Sequence, residues 1–343
     1  MISRRQALVG QVALVGAGAL AACSPPKKDA ASGNSAVPLA QPGATVIRFA
    51  TDWRAEAEHG GIYQAQATGE YQKRGLDVRI MPGGPGVNVP QYLAAGSADM
   101  GIGSNAFGVM NLVREKVPVK AVMASMQKDP QVLMAHPNAG IAGLADLKGH
   151  PILLSDSAKT SFWLWLKAKY GLTDDQVRTY TFNAGPFLSD TRAVQEGYLT
   201  SEPYTVEKEG HIAPLVMLLA DNGYPGYAGM VLAPDTLIHN NPKAVQAFTD
   251  ATAAGWKSYL DGDASKGDAL IMRDNPEMKP DVLAQAREKM KRYGIVQSVG
   301  GAQVGAMTEA SWKGFFDMAS GLGVYTKALD WRAAYTLDFL PKG

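Results

Sequence analysis

Cysteine is nearly absent from this chain of 343 residues, which contains only Cys23. One cysteine cannot form a disulfide within the chain, and it leaves no second thiol for a redox pair or a thiolate metal site. Apolar burial must therefore hold the fold together. A chain of this length can bury enough surface for one large domain or two linked ones.

An excess of charge is also absent, since 33 Lys and Arg residues oppose 32 Asp and Glu residues and the net charge is +1. Proteins that bind nucleic acid or an anionic membrane surface usually concentrate Lys and Arg. The composition therefore excludes a broad basic surface, and we expect no nucleic-acid partner.

Catalytic motifs are missing as well. The sequence contains no Gly-x-Ser-x-Gly elbow and no phosphate loop that ends in Gly-Lys-Ser/Thr. The stretch GGPGVN has Gly84 and Gly86, but Val89 stands where a dinucleotide fingerprint needs its third glycine. The histidines are scattered without metal spacing, and the acidic residues are dispersed, so no carboxylate pair is predicted. We expect no enzyme, no cofactor and no metal site.

The N-terminal segment MISRRQALVGQVALVGAGALAAC has the layout of an export signal, because Arg4 and Arg5 precede a short apolar run and small residues. The run is too short and too rich in Ala and Gly for a transmembrane helix, which needs about 20 strongly apolar residues. Leu20 to Cys23 resembles a bacterial lipobox, which implies removal of residues 1–22 and a lipid on Cys23 that anchors the protein to a membrane. Ser3 to Arg5 also resembles the start of a twin-arginine signal, so the export route stays open.

After Cys23 comes SPPKKDAASGNSAVPLAQPGA, a Pro-, Ser-, Gly- and Ala-rich tract with almost nothing to bury. Such a composition predicts a flexible tether over residues 23–44. The folded part is predicted to begin near Thr45.

From Thr45 onward, short apolar runs alternate with helical patterns: TVIRFAT and LDVRIMP are predicted strands, and GGIYQAQATGEYQKRG is a predicted helix. The alternation restarts at QVLMAH, and after Asn241 only helical patterns remain. These patterns predict an α/β fold with two lobes around a cleft, parallel sheets, and C-terminal helices packed on the first lobe. The predicted lobes are residues 45–127 with 225–343, and residues 128–224.

Aromatic and polar residues stand beside turn residues where several predicted strands end. Open α/β sheets bind ligands at the carboxyl ends of their strands. Rings with a few polar neighbours suit a flat, partly polar heterocycle, stacked between side chains and identified by hydrogen bonds. The candidate ligand-binding residues are Trp53, His59, Tyr63, Asn105, Phe107, Asp156, Ser157, Tyr198, Glu202 and Tyr227.

A structural role is the alternative for each of these residues. An aromatic ring beside Gly or Pro often only covers the core. Glu202 could bond backbone N–H groups of its own turn, as carboxylates in turns do. The pair Gly60 and Gly61 is interpreted as a turn where the backbone comes close to a ligand, with Trp53 and Tyr63 as pocket walls.

Four stretches, DWRAEAEHGGIYQAQATGEYQKRGLDVRI, GSADMGIGS, LADLKGHPI and EGYLTSEPYTVEKEG, resemble the substrate-binding lipoproteins of bacterial ABC importers. The group includes sulfonate-, nitrate-, thiamine-pyrimidine- and riboflavin-binding proteins, and the resemblance covers about residues 45 to 325. It implies a type II periplasmic-binding-protein fold whose lobes close on a ligand, and an exported monomer that delivers a small molecule to ABC permease subunits. It also implies that Trp53, His59 and Tyr63 line the first lobe, Asn105 the next loop, and Tyr198 and Glu202 the second lobe.

The resemblance leaves the ligand open between several kinds. Asp-Trp followed by His-Gly-Gly-Ile-Tyr resembles the branch for pyrimidine precursors of thiamine, and PGGPGVN resembles riboflavin-binding relatives. The alternative is a sulfonate or nitrate, for which SDSAKTSF would offer hydroxyl donors and a helix N-terminus. A third reading is an enzyme of pyrimidine synthesis. Its eukaryotic relatives use pyridoxal phosphate, a donor His where His59 stands, and a cysteine-rich iron motif that this chain lacks.

Overall fold

The computed structural model describes residues 38–39, 41–297 and 303–342. The predicted signal peptide, Cys23 and most of the predicted tether lie outside the described residues. The first strand begins at Thr45. None of the helices in the described ranges has both the length and the apolar character to cross a membrane.

The strands of the described chain are short and rich in buried aliphatic side chains. They are β1 (Thr45–Ala50), β2 (Leu76–Met81), β3 (Met100–Asn105), β4 (Val119–Met126), β5 (Gln131–Ala135), β6 (Ile152–Leu154), β7 (Val177–Thr179), β8 (Val194–Tyr198), β9 (Leu215–Leu218) and β10 (Ala228–Pro234). They form two five-stranded sheets.

Helices connect and cover these strands. They are α1 (Gly60–Ala67), α2 (Val89–Ala94), α3 (Ala106–Arg114), α4 (Asp156–Lys159), α5 (Phe162–Tyr170), α6 (Gly185–Ser189), α7 (Glu202–Gly210), α8 (Asp235–Asn240), α9 (Pro242–Asp261), α10 (Ser265–Asp274), α11 (Pro280–Arg292) and α12 (Glu309–Gly321). Several begin at side-chain caps: Asn241 accepts a hydrogen bond from the Ala244 N–H, and Thr308 accepts one from the Ser311 N–H.

The first sheet has the order β2-β1-β3-β10-β4, and the second has the order β7-β6-β8-β5-β9. Each sheet contains parallel strands, but β10 runs antiparallel to both of its neighbours, and so does β5. The prediction of parallel sheets was therefore incomplete. The chain leaves the first sheet after β4 and returns to it at β10. The first strand after each crossing, β5 or β10, runs antiparallel to its neighbours.

The chain crosses between the sheets through residues 127–130 and 219–227. We call the first sheet with the helices packed on it the first lobe, and the second sheet with its helices the second lobe. This is the predicted two-lobed α/β architecture. The first sheet takes its strands from residues 45–126 and 228–234, and the second from 131–218. The limits of the lobes along the chain remain a prediction.

The C-terminal helices pack on the first lobe, as predicted. Gly60 and Gly61 allow α9 to approach α1, because a Cβ on Gly60 would lie 2.0 Å from Tyr259 and one on Gly61 would lie 2.1 Å from Trp256. Both glycines lie inside α1. The interpretation of this pair as a turn beside the ligand was therefore wrong; the close approach it provides is between two helices.

Candidate functional site

The carboxyl ends of the strands in the first sheet carry several of the candidate residues to one edge. Strand register places Asn105 and Met126 on either side of Ala228, so the ends of β3 and β4 lie in one row with the start of β10. Trp53 follows the end of β1, a strand that runs parallel to β3. Trp53 and Asn105 therefore belong to the same edge of the first lobe.

The second lobe presents a corresponding edge. Strands β7 and β8 both run parallel to β6, so the carboxyl ends of all three strands point the same way. The residues that follow them are Ser155 after β6, Tyr180 after β7 and Leu199 after β8. This edge therefore carries the predicted loops around Ser157 and Glu202.

The two edges touch each other across the cleft between the lobes. The ring centroids of Trp53 and Phe182 are 4.8 Å apart, with an angle of 46° between the planes. Glu58, in the short segment before α1, accepts a hydrogen bond from the Thr200 hydroxyl. At the outer side, the Tyr204 hydroxyl donates to Asp281 of α11 over 2.8 Å. These contacts hold the lobes together and define the cleft.

Phe182 was not among the candidate residues, yet it lies at the cleft with an unusual backbone conformation. Its backbone is left-handed, with a φ of 58°, and its side chain is 51% exposed. A bulky residue rarely adopts this conformation, and such strain concentrates at functional sites. Its ring also lies 5.1 Å from that of Tyr180. The signal that could have identified Phe182 is its position just after a predicted strand, beside Asn183 and three residues before Gly185.

The loop that carries Trp53 is fixed by the loop after β2. The Gly83 N–H donates to the Trp53 carbonyl over 3.1 Å and to the Thr51 hydroxyl oxygen over 2.9 Å. A Cβ on Gly83 would lie 2.2 Å from the Thr51 carbonyl oxygen, whereas one on Gly84 would meet nothing closer than 3.8 Å. Gly83 is therefore required for the position of Trp53, and Gly84 is not.

We expect Gly83→Ala to lower the free energy of unfolding by about 2 kcal/mol, because the added methyl group collides with backbone atoms that cannot rotate away. The matched control is Gly84→Ala, which should change the stability by less than about 0.5 kcal/mol. Urea denaturation of the two variants checks this. Equal stabilities would contradict the proposed fastening of the Trp53 loop.

Carboxylates gather in the cleft although the sequence shows its acidic residues as dispersed. Burial, together with the charges of Glu58 and Glu202, raises the pKa of Glu56 well above its ordinary value, while Trp53 and Arg54 partly oppose the rise. Glu56 and Glu58 belong to the first lobe, and Glu202 belongs to the second. The sequence could not reveal this group of carboxylates, because Glu202 is about 145 positions from Glu56 and Glu58 and meets them only where the two lobes face each other.

Glu202 already has partners for both carboxylate oxygens. Its Oε2 accepts from the Tyr198 N–H over 2.7 Å, and its Oε1 accepts from the Tyr180 hydroxyl over 3.4 Å. Gly197 leaves room for this side chain, because a Cβ there would lie 2.7 Å from the Cβ of Glu202. The bond to the Tyr198 N–H is the turn-stabilising role that was the alternative for Glu202, and a role in ligand binding remains a prediction.

Glu196 is the carboxylate with an unused acceptor. It is 4% exposed, and its Oε2 has no hydrogen-bond partner among the described residues. Burial raises its pKa to about 7, although hydrogen bonds from Ser155 lower it. The charges of both Glu202 and Glu196 raise the pKa of Tyr180, so the two carboxylates lie near the same hydroxyl group. Glu196 was not among the candidate residues, although it stands directly before Gly197 at the start of the quoted stretch EGYLTSEPYTVEKEG.

His59 and Tyr63 lie deeper than a pocket wall would require. His59 is 4% exposed, and its Nε2 lies 3.2 Å from Oδ1 of Asp52. Tyr63 is completely buried, and its hydroxyl donates to Asp274 over 3.1 Å. The ring of Tyr63 therefore packs between α1 and the C-terminal helices, and His59 is buried beside Asp52.

Asn105, Phe107 and Tyr227 have structural partners. The Asn105 side chain caps α3 by accepting from the Gly108 N–H over 3.1 Å. The ring of Phe107, 2% exposed, meets Phe315 edge to face at 4.8 Å. Tyr227 is also buried, and its hydroxyl accepts from the Thr308 N–H. Phe107 and Tyr227 therefore belong to the core of the first lobe, and Asn105 remains at the cleft edge as a cap.

Asp156 and Ser157 lie at the start of α4 on the second lobe. The Asp156 carboxylate is 93% exposed and pairs with Lys159 at 2.9 Å. The Ser157 hydroxyl is also exposed and lies 3.0 Å from that of Ser155. Neither residue contacts the aromatic pair of Trp53 and Phe182 in this structure.

Tyr198 stands between the carboxylates of both lobes. Burial and the charges of Asp129, Asp52 and Glu58 raise its pKa well above the ordinary value. Asp52 and Glu58 come from the first lobe, whereas Asp129 lies in the crossing segment. Of the candidate residues, the structure therefore brings Trp53, Asn105, Tyr198 and Glu202 to the edges of the cleft, and it adds Phe182, Glu56, Glu58 and Glu196.

Comparison with known proteins identifies the family of this chain. Residues 56–262 match the family described as NMT1/THI5 like. The chain is 25% identical to the riboflavin-binding protein RibY of Chloroflexus aurantiacus over 341 residues, which cover 94% of this chain and 95% of that protein.

Solved structures share the fold at lower identity. The aliphatic sulphonate binding protein SsuA of Escherichia coli superposes with a TM-score of 0.64 at 15% identity, covering 85% of this chain and 92% of that one. The nitrate-binding protein NrtA of Synechocystis PCC 6803 gives 0.55 at 13% identity, covering 86% and 87%. Both are periplasmic binding proteins, which confirms the predicted fold. The family match covers more than half of the chain, so the chain belongs to the NMT1/THI5 like family.

Proposed function

We propose that the protein captures a flat nitrogen heterocycle outside the cytoplasm and delivers it to the permease subunits of an ABC importer. The ligand is a pyrimidine precursor of thiamine or a riboflavin-like ring system. The observation that carries the proposal is the contact between Trp53 and Phe182, one aromatic ring from each lobe, at 4.8 Å.

The aromatic pair is suited to hold a flat ligand. A ring stacked between two others needs about 7 Å between the outer planes, since stacked carbon atoms sit about 3.5 Å apart. The two rings would therefore separate by a few ångströms to admit the ligand, and each would then cover one of its faces. Lobe closure sets this separation, because Trp53 and Phe182 belong to different lobes.

The relatives support a binding protein of this kind. RibY is named for riboflavin, a flat nitrogen heterocycle, and its similarity spans nearly the whole of both chains. The solved structures of sulfonate- and nitrate-binding proteins share the fold at 15% and 13% identity, so they support the architecture and leave the ligand open. A sulfonate or nitrate therefore remains the alternative ligand, with the hydroxyl groups before α5 as its donors.

A thermal-shift screen tests the proposal. The purified protein is heated with thiamine, the pyrimidine moiety of thiamine, riboflavin, nitrate or taurine. A ligand at 100 times its dissociation constant stabilises the folded state by about 2.7 kcal/mol. We expect stabilisation by at least one of the heterocycles and none by nitrate or taurine. Stabilisation by the anions alone would establish the alternative.

The lipid anchor is a separate prediction that follows from Leu20 to Cys23. We expect Cys23→Ser to move the protein from the membrane fraction to the soluble extracytoplasmic fraction, because the acylated thiol would be lost. Membrane fractionation of the wild type and the variant, followed by immunoblotting, measures this. A variant that still sediments with membranes would show that Cys23 does not hold the anchor.

A further inference from the structure

Helix α11 presents a different face to each lobe. Its apolar face packs with α9 in the core of the first lobe and consists of Leu283, Ala286 and Met290. Residues four positions apart lie on the same side of a helix. Asp281, Gln285 and Lys289 follow this spacing, and they form a polar face that is turned towards the second lobe.

Asp281 receives two donors from α7 of the second lobe. The Tyr204 hydroxyl donates to its Oδ2 over 2.8 Å, and the Lys208 ammonium donates to the same oxygen over 2.5 Å. The Lys208 Nζ also lies 5.7 Å from the centre of the Tyr204 ring. Tyr204 and Lys208 are one helical turn apart, so both reach one carboxylate. The hydrogen bonds from Lys208 and Tyr204 lower the pKa of Asp281 to about 2, so this carboxylate is ionised at neutral pH.

The contact continues along the polar face of α11. The Gln285 Nε2 donates to the Thr200 carbonyl of the second lobe over 2.5 Å. One turn further, burial lowers the pKa of Lys289, and the charge of Glu207 on α7 opposes this decrease. Three successive turns of α11 therefore face the second lobe.

This contact is complete without a ligand. The donors Tyr204, Lys208 and Gln285 all have acceptors in the other lobe. The side chains of Lys208 and Asp281 are 48% and 43% exposed, so the ion pair lies at the outer surface. Closure of the lobes therefore gains polar contacts whether or not a ligand is present. A ligand that binds the closed form gains affinity in proportion to the fraction of the protein that is already closed.

We propose that Asp281, Tyr204 and Lys208 form a latch between α11 and α7 that holds a fraction of the protein closed without a ligand. The latch follows from the two-lobed fold and is the same for any ligand; its effect on affinity rests on the proposed function. Exposed ion pairs are weak individually and are screened by salt. The latch therefore raises the ratio of closed to open molecules by about 3- to 10-fold at low salt, and by less as the salt concentration rises.

A distance measurement between spin labels on the two lobes tests the latch. Cys23→Ser removes the natural thiol, and nitroxide labels are attached to Gln91→Cys, which follows β2, and to Thr160→Cys, which follows β6. Both positions are exposed. The protein is unfolded and refolded to remove bound small molecules. Pulsed electron spin resonance then measures the distances at about 0.1 M and about 1 M sodium chloride, where the screening lengths are about 10 Å and 3 Å.

We expect two populations of distances at low salt, one of them at the separation of the two labelled positions in this structure. The fraction of this closed population should fall at high salt, because the ion pair between Lys208 and Asp281 is exposed to the solvent.

Variants assign the effect to the latch. We expect Tyr204→Phe combined with Lys208→Gln to lower the ratio of closed to open molecules by about 3- to 10-fold at low salt, and to remove most of its salt dependence. The control is Lys313→Gln, which breaks an exposed ion pair with Asp317 at 2.5 Å within α12. The control should leave the ratio unchanged, because that pair does not join the lobes.

An unchanged distance distribution in the double variant, or a wild type that is entirely open at low salt, would overturn the proposal. The comparison of the wild type at two salt concentrations needs no latch variant, so a closed fraction that ignores salt overturns it even if the double variant fails to fold. The thermal-shift screen tests the proposed function separately. A heterocycle that binds to a protein without the latch refutes the latch alone, and a salt-dependent closed fraction without heterocycle binding refutes the proposed ligand alone.

Discussion

Gly61→Ala is expected to lower the free energy of unfolding by about 3 kcal/mol, even though alanine is the better helix former by about 1 kcal/mol. The new Cβ would lie 2.1 Å from the ring of Trp256, which is fully buried. On the other side of this contact, a Cβ on Gly255 would lie 2.1 Å from the Gly61 carbonyl oxygen. The helices α1 and α9 would have to separate, and apolar contacts along both would weaken.

The matched control for Gly61→Ala is a helical glycine with free space. Gly314 lies inside α12, and a Cβ there would meet nothing within 4 Å. Gly314→Ala should therefore raise the free energy of unfolding by up to about 1 kcal/mol, through helix propensity alone. Urea denaturation of both variants measures the difference. If Gly61→Ala were as stable as the control, the account of why α1 begins with two glycines would be wrong.

Asp129→Asn is expected to raise the free energy of unfolding by about 3 to 4 kcal/mol at pH 8 and to change it little at pH 4. Asp129 is 4% exposed in the segment that joins β4 to β5, and its Oδ1 accepts from the Gln131 N–H over 3.0 Å. Asparagine keeps this acceptor. Burial raises the pKa of Asp129 to about 7, and its charge in turn raises the pKa values of Tyr198 and Tyr224.

The sign of the pH dependence follows from the raised pKa. Between about pH 4 and pH 7 the folded state keeps a proton on Asp129 that the unfolded state has released, so stability falls as the pH rises through this range. Glu196, with a pKa raised to about 7, acts in the same direction. Above pH 7 the wild type bears the full cost of the buried charge, and Asp129→Asn avoids it.

An exposed aspartate with the same local hydrogen bond provides the control for Asp129. Asp190 accepts from the N–H two residues later, that of Arg192, over 2.9 Å, and its side chain is exposed. Asp190→Asn should therefore shift stability by less than about 0.5 kcal/mol at either pH. Guanidinium denaturation at pH 4 and pH 8 compares the three proteins. If Asp129→Asn had the same free energy of unfolding as the wild type at both pH 4 and pH 8, ionisation of the buried Asp129 would not destabilise the fold.

The order of strands and helices could be predicted from the sequence because it depends on local periodicity. The strand that begins at Thr45, the helix that begins at Gly60 and the helical region after Asn241 start where the patterns predict them, but the helix predicted to run to Gly75 ends at Ala67. The antiparallel directions of β5 and β10 could not be predicted, because they depend on how the chain crosses between lobes. An apolar run gives the same pattern in either direction.

The same difference between local and long-range information applies to the residues of the candidate site. Trp53 could be predicted to lie at the cleft, because the end of a strand that begins a βα unit is a fixed place in the fold. Tyr63 could not be assigned correctly, since the pattern of apolar residues does not distinguish a pocket wall from a helix interface. Phe182 could not be assigned because the ring that it contacts, that of Trp53, is distant in sequence. Glu196 could not be assigned because its raised pKa comes mainly from burial, which depends on how the second lobe packs.

Calorimetric titration of Phe182→Ala with the tightest-binding compound of the screen tests the central claim most directly. The control is Leu337→Ala, which truncates another exposed apolar side chain, 40% exposed, outside the cleft. We predict that a flat nitrogen heterocycle binds the wild type and the control equally, and binds Phe182→Ala about 5- to 100-fold more weakly, because stacking and burial on one face are lost. Unchanged affinity in Phe182→Ala, or a sulfonate or nitrate as the tightest ligand, would contradict a binding site between Trp53 and Phe182.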